Sequence, residues 1–261
     1  MRNINTLVLS FFMFYSMANA SVVFEGYYKV SQFNNHIGFI IIRHELEPKT
    51  NNYIIQTYLR LAKKNFDMTE TLNTVSDSNM KPVKYSYTAL DKKRSKTIDG
   101  NLTIDNKTKK EVLSVLAVED GKKLAVSVPY EKGVFFSSAL YPMMLRGEKG
   151  LKTSLDFDFS ALAEEAAQVH TGTTKIAKNR VTKDTFQLLK AENNFAGSSY
   201  EVLLTDKGEI ISTSDSKTGI KTELVRNKEE AIQDIKVNNK TIEQIFDSIP
   251  EGKTNSLNVK K

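Results

Sequence analysis

This chain of 261 residues contains no cysteine, no tryptophan and only three histidines. Each shortage closes off a class of function. Without cysteine there are no disulfides, no thiolate metal sites, no cysteine nucleophile and no N-terminal cysteine to carry a lipid. His36, His44 and His170 stand apart, and none falls in an H-E-x-x-H frame, so a metal centre lacks ligands. There is no G-x-S-x-G nucleophile elbow; "AGSSY" at 196–200 lacks the second glycine. A Gly-rich phosphate loop is missing as well. Beyond residue 20, no apolar run approaches the roughly 20 residues that a transmembrane helix needs.

Two remaining motifs have stronger structural readings. "SDSKTG" at 214–219 holds an S-x-x-K and a K-T-G, but Lys217 would have to serve both, within what reads as a hairpin turn. "LDFDF" at 155–159 puts Asp156 and Asp158 on one face of a strand. Two carboxyls about 5 to 9.5 Å apart can cleave a glycosidic bond. Such pairs usually come from separate elements in a cleft with aromatic sugar platforms, and here tryptophan is absent. A solvated strand face is the simpler reading. The sequence therefore offers no catalytic residues, no metal site and no cofactor, and the expected class is a non-enzymatic protein.

The N-terminus carries the clearest positive signal. Arg2 precedes an apolar run from Leu7 to Met17, and Ala18-Asn19-Ala20 follows with small residues at both positions that signal peptidase reads. The expectation is a signal peptide over 1–20, a mature chain from Ser21, and a periplasmic location, or secretion where there is no outer membrane. With no lipidated cysteine and no second long apolar run, the mature chain is expected to be soluble and not membrane-spanning.

Charged residues make up 26% and the formal net charge is +6. Lys63-Lys64, Lys92-Lys93-Arg94, Lys109-Lys110 and Lys122-Lys123 each lie beside an expected turn, and no block reaches five like charges. Lysines so placed serve solubility and strand edges, and no nucleic-acid partner is expected.

After the leader the chain reads as strands at a spacing of about 8 to 12 residues, the signature of an antiparallel all-β fold. "PVKYSYTAL" alternates Val83, Tyr85 and Tyr87 with polar residues, and "EVLSVLAVEDGKKLAVSV" reads as a hairpin around Asp120-Gly121. Within "IGFIIIRHEL", His44 shares strand parity with Ile40, Ile42 and Leu46, which points it inward. Three places break the rhythm. "FFSSALYPMMLRG" at 135–147 is apolar, with serines able to cap a helix, Pro142 within it and Gly147 to end it. "FSALAEEAAQVH" at 159–170 predicts a turn or two of helix. "KTIEQIFDSIP" spaces Ile242, Ile245, Phe246 and Ile249 helically before Pro250, and 251–261 reads as a disordered tail.

Strands leading into Ser138-Ala139-Leu140-Tyr141, with Arg146, Gly147 and Gly150 following, resemble a family of uncharacterised exported bacterial domains with a lipoprotein-carrier-like half-barrel fold. The resemblance covers about 23–227 and implies a curved sheet closed by helices. Some members of the wider group look like shuttles for acylated partners.

The fold class expected is mainly β: a curved antiparallel half-barrel over 21–250, with a short central apolar helix and a C-terminal helix. The function expected is binding of a lipid or lipoprotein acyl chain in the concave face, lined by Phe135, Phe136, Leu140, Tyr141, Met143 and Met144 from the central segment, and Ile40 and Ile42 from the sheet. Methionines suit a mobile plug. The alternatives are an envelope scaffold that binds proteins through a fully packed sheet, or a glycan or peptide hydrolase.

Overall fold

The computed structural model describes residues 20–63, 66–142, 156–183 and 185–258. The expected leader thus falls outside the described residues, apart from Ala20. So do Met143, Met144, Arg146, Gly147 and Gly150.

The first half is a meander of β1 (Ser21–Gln32), β2 (Asn35–Leu46), β3 (Tyr53–Leu61), β4 (Met68–Ser76), β5 (Pro82–Asp91), β6 (Ser95–Ile104), β7 (Glu111–Glu119) and β8 (Lys122–Pro129). Each strand pairs antiparallel with its predecessor. The second half has the short β9 (Phe135–Phe136), then β10 (Asp156–Ala163), β11 (Gln168–Ile176), β12 (Val181–Lys183), β13 (Phe186–Phe195), β14 (Ser198–Leu204), β15 (Ile210–Asp215) and β16 (Ile220–Val225). β16 returns to pair with β1, from Tyr27↔Val225 to Gln32↔Ile220. The result is one open, curved sheet with β8 at one edge and β9 at the other.

Alternation along each strand separates two faces. The inner face gathers Tyr53 and Ile55 from β3, Tyr85 and Tyr87 from β5, Leu113 and Val115 from β7, Phe159 and Ala161 from β10, and Val202 and Leu204 from β14 into one core. Curvature this strong needs room for aromatic rings, and glycines supply it. Tyr85 faces Gly100 in register, and a Cβ there would lie 2.1 Å from its ring. Phe159 faces Gly172 in the same way, with a Cβ at 2.4 Å. Each ring lies over the neighbouring strand where a side chain would otherwise stand.

On the opposite face of β1–β3 lie α1 (Lys228–Ile232) and α2 (Asn239–Phe246), the second being the C-terminal helix that the spacing predicts. Asn227 and Asn238 cap them by accepting from the amides of Glu230 and Lys240. Ala231, Ile235, Ile242 and Phe246 pack on Tyr27, Phe39, Ile41 and Tyr58. β2 is therefore covered on both faces, which explains its unbroken apolar run.

Two expectations are overturned. Residues 159–170 form no helix; they continue β10, turn at 164–167 and enter β11. Burial overrides helix propensity here, because Ala161, Leu162 and Ala163 are almost wholly enclosed, with Ala161 and Leu162 opposite Phe135 and Phe136. The tail is also fastened as far as 258, where disorder from 251 was expected. Buried Glu25 accepts from the amides of Glu251 and Gly252 at 2.9 and 3.0 Å, and the fully enclosed Asn255 donates to the Glu25 carbonyl. Arg43 pairs with Glu25 at 2.6 Å, donates to the Phe246 carbonyl and to Ser248 Oγ, and stacks over the Phe246 ring. Polar residues are thus ordered by a buried ion pair that the sequence does not advertise.

Removing one partner of such a pair strands the other. Arg43→Met is expected to lower stability by about 3–5 kcal/mol in urea titration. An unchanged midpoint would show that the clamp contributes nothing.

Candidate ligand-binding site

The segment entering at Val134 crosses the inside of the sheet. Phe135 and Phe136 run parallel beside β10, opposite Ala161 and Leu162. A 3-10 turn over Ser137–Ala139 follows, and Leu140–Pro142 continues helically. The expected central helix is therefore present as a tight turn leading into residues outside the described set.

This turn has no serine cap. Its N-cap is Phe136, which offers no side-chain acceptor. The acceptor comes instead from Glu164, in the β10–β11 turn. Its carboxylate takes Ser137 Oγ at 2.6 Å, Ser138 Oγ at 2.7 Å and the Ser138 amide at 3.1 Å. Glu164 is buried, and loss of hydration raises its pKa against the lowering effect of these donors. On the far side, Ser138 Oγ lies 3.4 Å from Thr74 Oγ1 on β4. Farther along, Tyr141 Oη accepts from Asn193 on β13, which is itself hydrogen-bonded to Thr174 on β11. The segment is thus tied to β4, β11 and β13 as well as to its own edge of the sheet.

Four expected ligand-lining residues, Phe135, Phe136, Leu140 and Tyr141, come together here, and all are buried in the main core. Phe136 meets the Tyr85 ring edge-on at 5.5 Å. Ile42 packs against the same core, whereas Ile40 packs with the groups around Tyr28 and Leu61. His44 faces inward as its parity predicts. It sits 2.9 Å from Tyr53 Oη and against the Phe24 ring, and burial lowers its pKa to about 4. Asp156 and Asp158 lie on the exposed face of β10. Among the described residues, no three His, Asp or Glu side chains gather as metal ligands.

Open space lies at the rim. One cleft of about 770 Å³ is lined by Phe135, Phe157, Phe159 and Phe195, with a polar margin that includes Lys132, Ser160 and Asn194. Its rings form a chain: Phe157 stacks on Phe159 at 5.9 Å, and Phe159 lies 5.7 Å from Phe135 and 5.6 Å from Phe195. A second cleft of about 710 Å³ adjoins it, lined by Met80, Lys81, Lys110, Tyr130 and Val134. The two share Lys132, Gly133 and Phe135 as a common wall. Both volumes lie within the roughly 300–1,000 Å³ usual for ligand sites.

The phenylalanines of β10 were visible as the apolar face of "LDFDF", opposite the carboxylates. Glu164 was hidden inside a helix-like string, and only tertiary contact gives it a role.

The fold has a counterpart among solved structures. The chain is similar to the crystal structure of a β-barrel-like protein of domain of unknown function DUF1849 from Brucella abortus. The TM-score is 0.54 at 12% identity, over 78% of this chain and 98% of that one. At that identity the Brucella structure shows the fold alone. No protein-family model and no curated protein matches this sequence.

Glu164→Ala leaves two serine hydroxyls and an amide without their buried acceptor. A loss of about 2–4 kcal/mol is expected in urea unfolding, with Glu164→Gln costing less because an amide retains an acceptor oxygen. Equal stabilities for wild type and Glu164→Ala would refute the anchoring role.

Proposed function

We propose that this protein is a non-enzymatic binding protein of the bacterial cell envelope that holds an apolar ligand, such as a lipid or the acyl chain of a lipoprotein, at the rim of its β half-barrel. The carrying observation is the phenylalanine-lined cleft of about 770 Å³ beside an interior already filled by the 134–142 segment. The ligand place is thereby moved from the concave face, where Phe136, Leu140 and Tyr141 serve as packing, to the rim, where Phe135 alone of the expected residues that are described still contributes. Aromatic walls with a few polar groups at the margin suit an acyl chain or other apolar group. The envelope location rests on the leader-like N-terminus.

A second reading has its own observation. β8 has no partner beyond β7 among the described residues, and Leu124 and Val126 on it are 61% and 39% exposed. An apolar edge strand of this kind pairs readily with another chain, which would suit an envelope scaffold.

Native mass spectrometry of protein purified from an envelope fraction, with lipid extraction, tests the first reading. Co-purifying lipid is expected, and Phe157→Ser with Phe195→Ser should remove most of it while the fold persists. A protein free of lipid that instead carries a stoichiometric protein partner would favour the scaffold.

A further inference from the structure

The wall shared by the two clefts has an apolar side and a charged side. Phe135 faces both clefts, and Lys132 stands at the margin of both. The charges around the second cleft are Asp77, Lys81, Lys110, Glu111 and Lys132. Lys81 is already engaged: its Nζ lies 2.5 Å from Glu111 and 5.3 Å from the centroid of the Tyr130 ring. Asp77 is also occupied, its Oδ1 accepting from the amides of Asn79 and Lys81. Lys110 and Lys132 have no ion pair or side-chain hydrogen bond among the described residues. The first cleft has one carboxylate, Asp158, at its margin, which disfavours an anion there. The two clefts are therefore unlike: aromatic surface on one side of Phe135, and two uncommitted ammonium groups beside Met80 and Val134 on the other.

We infer that the ligand is an anionic single-chain amphiphile, a fatty-acid-like carboxylate, whose head group is held by Lys132 and Lys110 and whose chain passes over Phe135 onto Phe157, Phe159 and Phe195. This rests on the apolar-ligand reading above and adds the head group to it. Lysine suits this task as a flexible point charge that follows a mobile head group. The ammonium–carboxylate contact is charge-assisted, and at an open rim it weakens as salt rises. Two long-chain molecules that differ only at the head separate the two parts of the site, because the alcohol keeps the chain and loses the charge.

The test is equilibrium binding of palmitate and of hexadecanol, each at low and high salt, to the wild type and to Lys132→Glu, Lys132→Arg and Lys110→Glu. Lys132 and Lys110 are surface residues, and circular dichroism checks that the variants fold. Palmitate is expected to bind more tightly than hexadecanol at low salt. Lys132→Glu should weaken palmitate about five- to ten-fold, Lys110→Glu should act in the same direction, and hexadecanol should be unaffected. Lys132→Arg should retain binding. Equal affinities for acid and alcohol, with no response to Lys132→Glu, would overturn the head-group assignment and leave the apolar cleft standing. Failure of both molecules to bind would overturn the assignment together with the reading on which it rests.

Discussion

The interior of this protein depends on a single buried carboxylate. Glu164 gathers three donors from Ser137 and Ser138 and so fixes the entry of the 134–142 segment into the curved sheet. An open sheet cannot bury its inner face alone. Here the missing layer is supplied by the chain itself, through Phe135, Phe136, Ala139, Leu140 and Tyr141. The two donor side chains are short, so the carboxylate must come to them, and the tight β10–β11 turn brings it there. Ala161 and Leu162 pair with Phe135 and Phe136, and they and Ala163 are almost wholly enclosed there.

Once the concave face is filled, the clefts that remain around Phe135 lie at the rim. A filled interior also explains why the sheet can remain open: its two edges need not meet, because the inner segment bridges from β10 to β4. On the outer face, Arg43 and Glu25 do the corresponding work for the C-terminal helix and the chain beyond it. The same fold thus has two internal anchors, each a buried charge with several partners. Buried charges must find partners, and the two sites do so differently. Arg43 and Glu25 pair with one another; Glu164 has hydroxyl and amide donors but no cation partner among the described residues, and burial raises its pKa.

The strand pattern was legible in the sequence because period-2 alternation reports burial of one face directly. Tyr85 and Tyr87 turned inward as their spacing implied, and the hairpin at Asp120-Gly121 formed with both residues at positive φ. The C-terminal helix was legible for the same reason, through Ile242 and Phe246. What escaped sequence reading was set by distant contacts. "ALAEEAA" carries helix formers, yet Ala161 and Ala163 are enclosed in a strand and the rest forms the turn at 164–167. "EGKTNSLN" at 251–258 looks like a solvated tail, yet Asn255 is enclosed because Glu25, 230 residues earlier in the chain, presents its carbonyl there. The site was legible in part. The apolar segment was recognised as special, but its role as lining or as core depended on where the remaining space lay, and no local pattern records that.

The account turns on the inner segment being core. Native-state hydrogen exchange on the amides of Ser138, Ala139 and Leu140 tests this most directly. They are expected to exchange as slowly as those of Ala161–Ala163 on β10, and any slowing on adding palmitate should be the same for both sets, because they open only with the sheet. Exchange in the free protein much faster than on β10, slowing on adding palmitate while the β10 amides do not slow to match, would contradict the account and make the segment a lid.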